Sequence, residues 1–128
     1  GEVKGMVKIT DAEWKIMNVL WEKEGSTITE ITRSFRDTTG WTKHTVMTLL
    51  KRLDEKGAVY YTEGKKAKMF YTKIPRNEAA IEETKNFLDK AFQGKIGLMI
   101  NTLIQEEALT KEELDELYDM LHKAGKEE

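Results

Sequence analysis

The feature that most constrains this fold is a change in hydrophobic spacing at Gly57. Across residues 40–57 the apolar residues recur every three or four positions, as in an amphipathic helix, and they are Val46, Leu49, Leu50 and Leu53. After Gly57, residues 58–62 and 69–74 are rich in β-branched and aromatic side chains, which are typical of strands. The basic, glycine-containing segment 63–68 between them predicts a β-hairpin with a positively charged tip.

Two shorter helices are predicted before this segment, and each begins with a capping box. The boxes are residues 10–13 and 27–30, with threonine first and glutamate last. The first helix is expected to run to about residue 24, and the second to end in a turn at 37–40. By itself, the third helix is more typical of a core helix with a solvated charged face than of a DNA-reading helix. Three helices followed by a hairpin instead predict a winged helix-turn-helix, with the third helix in the DNA major groove.

The chain after Pro75 is predicted to be entirely helical, so the fold class is mainly α with a small β-hairpin. Helices are expected over 77–93, 95–107 and from the capping box at 110–113, with a frayed tail from Ala124. These short helices bury too little surface to be stable alone. They would pack either on residues 1–75 or, as we favour, on a second copy, through apolar residues on their faces. These residues are Ile81, Phe87, Leu88, Phe92, Ile96, Met99, Ile100, Leu103, Ile104, Leu114, Leu117, Tyr118 and Leu121.

This pattern predicts two domains, a DNA-binding domain at 1–75 and a helical dimerisation domain at 76–128. The charges agree with that division. Residues 1–75 hold 14 Lys and Arg against 10 Asp and Glu, whereas residues 76–128 hold 7 against 13. A basic first domain in a chain of net charge −2 favours an anionic partner for that domain.

Composition also excludes several classes of site. The chain has no cysteine, so disulfides and thiolate metal sites are excluded, and its two histidines lack the spacing of a zinc site. We therefore predict no metal and no cofactor. Nucleophile and phosphate-loop motifs are absent, which argues against an enzyme. No apolar run approaches the roughly 18 residues of a membrane span, and the chain does not start with a signal-peptide pattern, so a cytoplasmic location without membrane insertion is expected.

The candidate DNA contacts lie on the third helix and on the hairpin tip. Four side chains are predicted to face base edges, namely Lys43, His44, Thr45 and Thr48. Lys51 and Arg52 are expected to hold phosphates, and Thr42 to cap the helix, whose free N–H groups also suit a phosphate. The hairpin should add phosphate contacts from Lys65, Lys66 and Lys68.

Several blocks of sequence, spread over nearly the whole chain, form a recognisable signature. They are Ile9-Thr10-Asp11-Ala12-Glu13-Trp14, Trp41-Thr42-x-x-Thr45-Val46-x-Thr48-Leu49-Leu50-x-Arg52-Leu53-x-x-Lys56-Gly57, Phe70-Tyr71, Phe87-Leu88, and Glu112-Glu113-Leu114-x-Glu116-Leu117. In these blocks the chain resembles the penicillinase and methicillin-resistance repressors, winged-helix proteins grouped with copper-transport repressors. The block from Trp41 to Gly57 is the most specific part of the resemblance.

The resemblance implies a cytoplasmic bacterial homodimer that represses transcription. Its winged helix would bind double-stranded operator DNA with palindromic TACA/TGTA half-sites, and its C-terminal helices would intertwine with those of the second copy. Repression would be relieved when a membrane sensor-transducer, a zinc protease that detects β-lactam antibiotics, triggers cleavage in the C-terminal part.

The sequence departs from the family pattern at three places. The β-lactam repressors are cut at an Asn-Phe bond, and the matching position here is Asn101-Thr102. The copper branch uses a cysteine-rich metal site, which this chain lacks. Lys43 and His44 stand where the family has proline and lysine, so an operator preference particular to this protein is expected there.

Two other functions remain open from the sequence. A winged-helix regulator could be released from DNA by a small ligand bound to its C-terminal helices, without cleavage. A winged helix can also serve as a protein-interaction module, which the acidic isoelectric point of about 5.8 mildly favours.

Overall fold

The computed structural model describes residues 7–127, which form six helices and one two-stranded sheet. The helices are α1 (Asp11–Glu22), α2 (Ile28–Ser34), α3 (Lys43–Glu55), α4 (Arg76–Phe92), α5 (Ile96–Gln105) and α6 (Lys111–Glu127), and the strands are β1 (Val59–Glu63) and β2 (Lys68–Thr72). The chain divides into two compact units after residue 82. The assignment of residues 1–75 to DNA binding and of residues 76–128 to dimerisation stays a prediction. Within these two ranges, residues 1–6 and 128 lie outside the part of the chain that the structure describes.

The two predicted capping boxes at the first two helices are confirmed. Thr10 and Thr27 are the N-caps of α1 and α2, and each hydroxyl accepts a hydrogen bond from the backbone N–H three residues on, over 3.2 Å. The carboxylates of Glu13 and Glu30 accept the N–H of these threonines in return, each over 2.9 Å. Each box satisfies backbone donors that a helix start otherwise leaves free.

The core of the first unit is formed by the three helices and the hairpin together. Its buried residues are Ile16, Met17, Leu20, Ile31, Phe35, Val46, Leu49, Leu50, Leu53, Ala58, Val59 and Phe70. They include the whole apolar stripe predicted on α3, so the amphipathic interpretation of residues 40–57 is confirmed. Because this stripe is buried, the opposite face of α3 is held outward.

The hairpin is antiparallel, with Val59 opposite Thr72 and Glu63 opposite Lys68. A third, very short segment also joins it: Ser26 forms an isolated bridge to Phe70, with N–H to carbonyl distances of 3.2 and 2.8 Å. This pairing is not predictable from the sequence, since a single bridging residue has no hydrophobic period. The bridge ties the hairpin to the segment between α1 and α2.

The second unit contains the end of α4 and the helices α5 and α6. The break predicted at Gly94 is confirmed, because Gly94 has a φ of 79° and the preceding Gln93 a φ of 55°. The third capping box is also confirmed, since Thr110 and Glu113 exchange hydrogen bonds of 2.8 and 3.1 Å.

The prediction of a frayed tail from Ala124 is wrong, because α6 continues to Glu127. Lysine and alanine favour helices, and cations in the last turn interact favourably with the carbonyl end of the helix dipole. Lys126 occupies that position in α6. Within residues 7–127, no helix is long and apolar enough to cross a membrane, and no group of three or more His, Asp or Glu side chains is placed to hold a metal ion.

Candidate nucleic-acid interface

The outward face of α3 carries most of the predicted DNA contacts. Its exposed side chains are Lys43, His44, Met47, Lys51, Arg52 and, at the C-terminal end, the acidic Asp54 and Glu55. Thr45, at the edge of this face, and Thr48, near its middle, are both half-buried. The helix therefore presents cationic and imidazole groups most prominently, and the two threonines are less exposed than these groups.

The threonine hydroxyls of this helix are engaged in local hydrogen bonds. Thr42 is the N-cap, as predicted: its Oγ1 accepts the N–H of Thr45 over 3.3 Å and lies 3.3 Å from the Thr45 hydroxyl. The hydroxyl of Thr48 donates to the carbonyl of His44 over 3.0 Å. A hydroxyl that donates its hydrogen in this way keeps acceptor lone pairs and a methyl group for a base edge.

Met47 is a candidate contact that the sequence interpretation left out. Its side chain is 51% exposed, although an apolar side chain gains by leaving water. It lies one helical turn from both Lys43 and Lys51, because residues four apart share a helix face. The signal available in the sequence was an apolar residue displaced from the stripe of α3.

The cations on α3 are free of acidic partners within the described part of the chain. Lys43, Lys51 and Arg52 make no ion pair with any residue of 7–127, whereas Lys23 and Lys56 each bind a glutamate. Unpaired cations on one helix face create a positive potential that attracts an anion. This arrangement suits the phosphates of a nucleic acid better than a neutral ligand.

The hairpin tip adds a second cationic element. Lys65, Lys66 and Lys68 are all exposed, and Nζ of Lys68 lies 4.3 Å from the ring centroid of Tyr61, a cation–π contact. The turn is closed by the N–H of Gly64, which donates to the carbonyl of Ala67 over 2.9 Å. The tip therefore presents two exposed lysines, Lys65 and Lys66, and a third, Lys68, that lies over an aromatic ring.

An ion pair supports α3 from behind. Nζ of Lys56, the C-cap of α3, lies 2.5 Å from Oε1 of Glu13, whose side chain is only 1% exposed. Burial raises the pKa of Glu13, but the hydrogen bonds from Lys56 and from the N–H of Thr10 outweigh burial and leave the pKa lowered. The glutamate is therefore ionised at neutral pH and holds the end of α3 against the start of α1.

Comparison with known proteins identifies the kind of chain to which this interface belongs. The profile of the family described as "Penicillinase repressor" matches residues 9–123. The chain belongs to the penicillinase repressor family. This result confirms the predicted family, whose members are DNA-binding repressors.

Two members of the penicillinase repressor family illustrate the similarity along the whole chain. The methicillin resistance regulatory protein MecI of Staphylococcus aureus is 27% identical over 116 residues, which cover 91% of this chain and 94% of MecI. The penicillinase repressor of Bacillus licheniformis is 27% identical over 128 residues, which cover 98% of this chain and all of the relative.

Solved structures confirm the predicted winged-helix fold. The DNA-binding domain of the repressor BlaI is 26% identical, with a TM-score of 0.51, and the match covers 56% of this chain and 88% of that domain. A mutant of MarR from E. coli is 20% identical, with a TM-score of 0.53, and the match covers 96% of this chain and 82% of the MarR chain. At this level of identity the match shows the fold alone.

In this penicillinase repressor homologue, the residues predicted for dimerisation are all at least partly accessible in the single chain. The exposed ones are Ile81, Phe87, Ile96, Ile104, Tyr118 and Leu121. The half-buried ones are Leu88, Phe92, Met99, Ile100, Leu103, Leu114 and Leu117. No side chain from residue 83 to 126 is fully buried, so this unit lacks a core of its own.

The predicted cleavage position lies inside α5. Asn101 is exposed, whereas Thr102 is half-buried and its hydroxyl donates to the carbonyl of Leu98 over 2.8 Å. Both residues are flanked by helix, since α5 spans Ile96–Gln105. The bond between them is therefore part of a hydrogen-bonded helix rather than of a loop.

Proposed function

We propose that this protein is a sequence-specific DNA-binding transcriptional repressor that acts as a homodimer on a palindromic operator in the bacterial cytoplasm. The observation that carries the proposal is the outward face of α3, with unpaired cations and an exposed imidazole, next to a hairpin with a basic tip. Membership of the penicillinase repressor family supports the same function, because MecI and the Bacillus licheniformis relative are named as a regulator and a repressor.

Base reading is assigned to the part of α3 that reaches farthest outward. Lys43 and His44 would read acceptors in the major groove, and the methyl end of Met47 would contact a thymine methyl group. Thr45 and Thr48 would contribute mainly their methyl groups and acceptor lone pairs, because local bonds engage their hydroxyls. Contacts of this kind give specificity rather than overall affinity.

Phosphate binding is assigned to Lys51 and Arg52 on α3 and to Lys65, Lys66 and Lys68 on the hairpin. Long cationic side chains that are exposed and unpaired suit phosphate oxygens, which carry no sequence information. Thr42, at the N-terminus of α3, would bring free backbone N–H groups toward a phosphate as well. These contacts would fix the orientation of α3 in the groove.

A second copy of the chain is the proposed partner of the C-terminal helices. Each large apolar side chain gains about 1.5–3 kcal/mol when it is fully removed from water. The unit from residue 83 leaves every such side chain at least partly exposed in one copy. A symmetric dimer would cover these faces and would place two copies of α3 about 34 Å apart, or a small multiple of that distance.

Relief of repression by a sensor-transducer protease is the remaining part of the proposal. Cleavage of Asn101–Thr102 would require α5 to unwind first, because both residues are held in its hydrogen-bonded backbone. The alternative, a regulator released by a small ligand, leaves the chain intact. A denaturing gel of the protein from induced cells distinguishes the two, since only proteolysis produces a fragment that ends at residue 101.

The DNA-binding function is tested by fluorescence anisotropy on two duplexes of equal composition, one with paired TACA/TGTA half-sites and one scrambled. We expect tighter binding to the paired half-sites. Arg52→Ala should weaken binding to both duplexes by a similar factor. Thr45→Ala and Met47→Ala should mainly lower the preference for the paired half-sites, because contacts to base edges carry the sequence information.

Lys15→Ala is the matched control, since Lys15 is exposed on α1 and lies outside the proposed contacts. Operator affinity equal to that of the parent in all three variants would overturn the assignment of α3. A parent that shows no preference for any duplex, but forms a stable complex with another protein, would support the rival function of a protein-interaction module.

A further inference from the structure

A groove in the first unit lies between α2 and the start of α3, outside the contacts proposed above except for Lys43. It has a volume of about 330 Å³. The side chains that matter for its chemistry are two threonines, three cations and an indole, namely Thr29, Thr32, Arg33, Arg36, Lys43 and Trp41. The groove is therefore rich in hydrogen-bond donors and in positive charge.

The turn between the two helices holds the aromatic side of this groove in place. The N–H of Gly40 donates to the carbonyl of Phe35 over 2.7 Å, which closes the turn. Phe35 is buried in the core, and its ring lies 4.7 Å from the ring of Trp41. A tilted aromatic pair at this distance adds to the packing, so Trp41 is anchored to the core.

The two arginines project toward the same side of this turn. Arg33 is in the last turn of α2, and the N–H of Arg36 donates to its carbonyl over 3.2 Å. Residues three apart in a helical turn are neighbours on one surface. Lys43, the first residue of α3, lines the same groove from the opposite side.

None of the three cations is neutralised by the described chain. Across residues 7–127, the side chains of Arg33, Arg36 and Lys43 have no ion-pair or hydrogen-bond partner, and all three are exposed. Two guanidinium groups and an ammonium group around one groove favour an anion. Guanidinium matches the geometry of phosphate oxygens with paired N–H donors.

We propose that this groove is a seat for a backbone phosphate of the operator, held by Arg33 and Arg36 beside the position where α3 enters the major groove. The inference rests on the proposed DNA-binding function. In helix-turn-helix proteins the first helix of the motif crosses the DNA backbone while the second enters the groove. α2 and α3 are those two helices here, so a cationic groove between them faces the strand next to the bases that α3 reads.

The seat adds affinity and register but no sequence preference, because every nucleotide presents the same phosphate. The same chemistry would also accept a free phosphate group. The two sources differ in one measurable property: only a DNA phosphate contributes to the release of counterions from the duplex on binding.

The test compares the parent with Arg33→Gln/Arg36→Gln, using anisotropy on the paired half-site duplex and on its scrambled counterpart over a range of salt concentrations. Glutamine keeps helix propensity and polarity, and circular dichroism checks that the variant is folded. We expect weaker binding to both duplexes, an unchanged ratio between them, and a salt slope lower by about 1.

The control is Lys15→Gln/Lys126→Gln, which removes the same charge from exposed positions outside the groove. If the parent prefers the paired half-sites and the arginine variant has the slope and affinity of the control, the seat alone is overturned. If the parent binds neither duplex, the proposed function and the seat both fail. A further arm follows the arginine Nε–H signals by NMR with inorganic phosphate. Saturable binding there, together with an unchanged DNA salt slope, would assign the groove to a free phosphate ligand and overturn the DNA assignment.

Discussion

Lys56 at the end of α3 is paired with Glu13 at the start of α1, with Nζ 2.5 Å from Oε1. Oε1 of Glu13 also accepts the N–H of Thr10 in the capping box, over 2.9 Å. Lys56 in turn donates to the carbonyl of Lys8 over 2.6 Å. One carboxylate therefore caps α1 and fixes the end of the proposed DNA-reading helix.

Replacing Lys56 with methionine should destabilise the first unit markedly. The change removes the cation while the carboxylate of Glu13 stays buried, and breaking such a pair costs up to about 3–5 kcal/mol when both charges are buried. Because Lys56 keeps some contact with water, we expect about 2–3 kcal/mol, measured by urea unfolding. Lys15→Met on the exposed face of α1 is the control, and an equal effect of the two substitutions would refute a structural role for the pair.

The Lys23–Glu30 pair makes a prediction about pH. The hydrogen bond from Lys23, together with that from the N–H of Thr27, lowers the pKa of Glu30 to about 2, from an ordinary value of 4.5. A pKa lowered by folding means that the stabilisation is complete above about pH 4.5 and is lost as the pH falls toward 2.

The measurement is an NMR titration of the Glu30 carboxyl in the parent and in Lys23→Met. The variant should titrate at a higher pH than the parent, because the first cause of the lowered pKa is gone. It should still titrate below the ordinary value, since the N–H of Thr27 remains. Identical midpoints in the two proteins would contradict the assignment to Lys23.

Gly25 should not tolerate a side chain. Its φ is +83°, and a Cβ added there would lie 3.1–3.3 Å from the hydroxyl and ring atoms of Tyr71 on β2. The positive φ costs about 1–3 kcal/mol for a residue other than glycine. Gly25→Ala should therefore lower the unfolding free energy by at least about 1 kcal/mol and loosen the hairpin relative to α1.

A double-mutant cycle separates the two causes. Combined with Tyr71→Ala, the alanine at position 25 loses its steric clash but keeps its backbone strain, so the combined cost should be smaller than the sum of the single costs. Gly40→Ala is an informative comparison, because Gly40 also has a positive φ but has nothing within 4 Å of the added Cβ. If the costs of the two substitutions simply add, the contact with Tyr71 contributes nothing to the cost of Gly25→Ala, and backbone strain alone accounts for it.

The elements that the sequence predicted correctly are those encoded by neighbouring residues. The capping boxes at Thr10, Thr27 and Thr110 fix helix starts through bonds between residues three apart, and the stripe on α3 has a helical period. The hairpin is similarly local. Each of these signals lies within a short window of sequence, so its outcome does not depend on the tertiary fold.

The features that the sequence did not predict depend on residues far apart in the chain. Lys56 and Glu13 are 43 positions apart, and the bridge between Ser26 and Phe70 joins single residues without a pattern. The α2–α3 groove exists only because the turn at Gly40 brings Lys43 opposite Arg33. On α3, the apolar pattern predicted the buried face correctly, but it did not predict the partial burial of Thr45 and Thr48, which depends on the tertiary fold.

The proposed dimer makes the last prediction. Leu117 lies in the middle of the apolar stripe of α6, is half-buried in the single chain, and would be covered by the second copy. Leu117→Glu places a charge in that surface, and desolvating an unpaired charge opposes association. Sedimentation velocity should show the parent as a dimer and the variant as a monomer with lower operator affinity. Lys123→Glu, about 120° away from Leu117 around α6 at 100° per residue and exposed, should leave the dimer intact, whereas a monomeric parent would exclude the second copy as the partner of these helices.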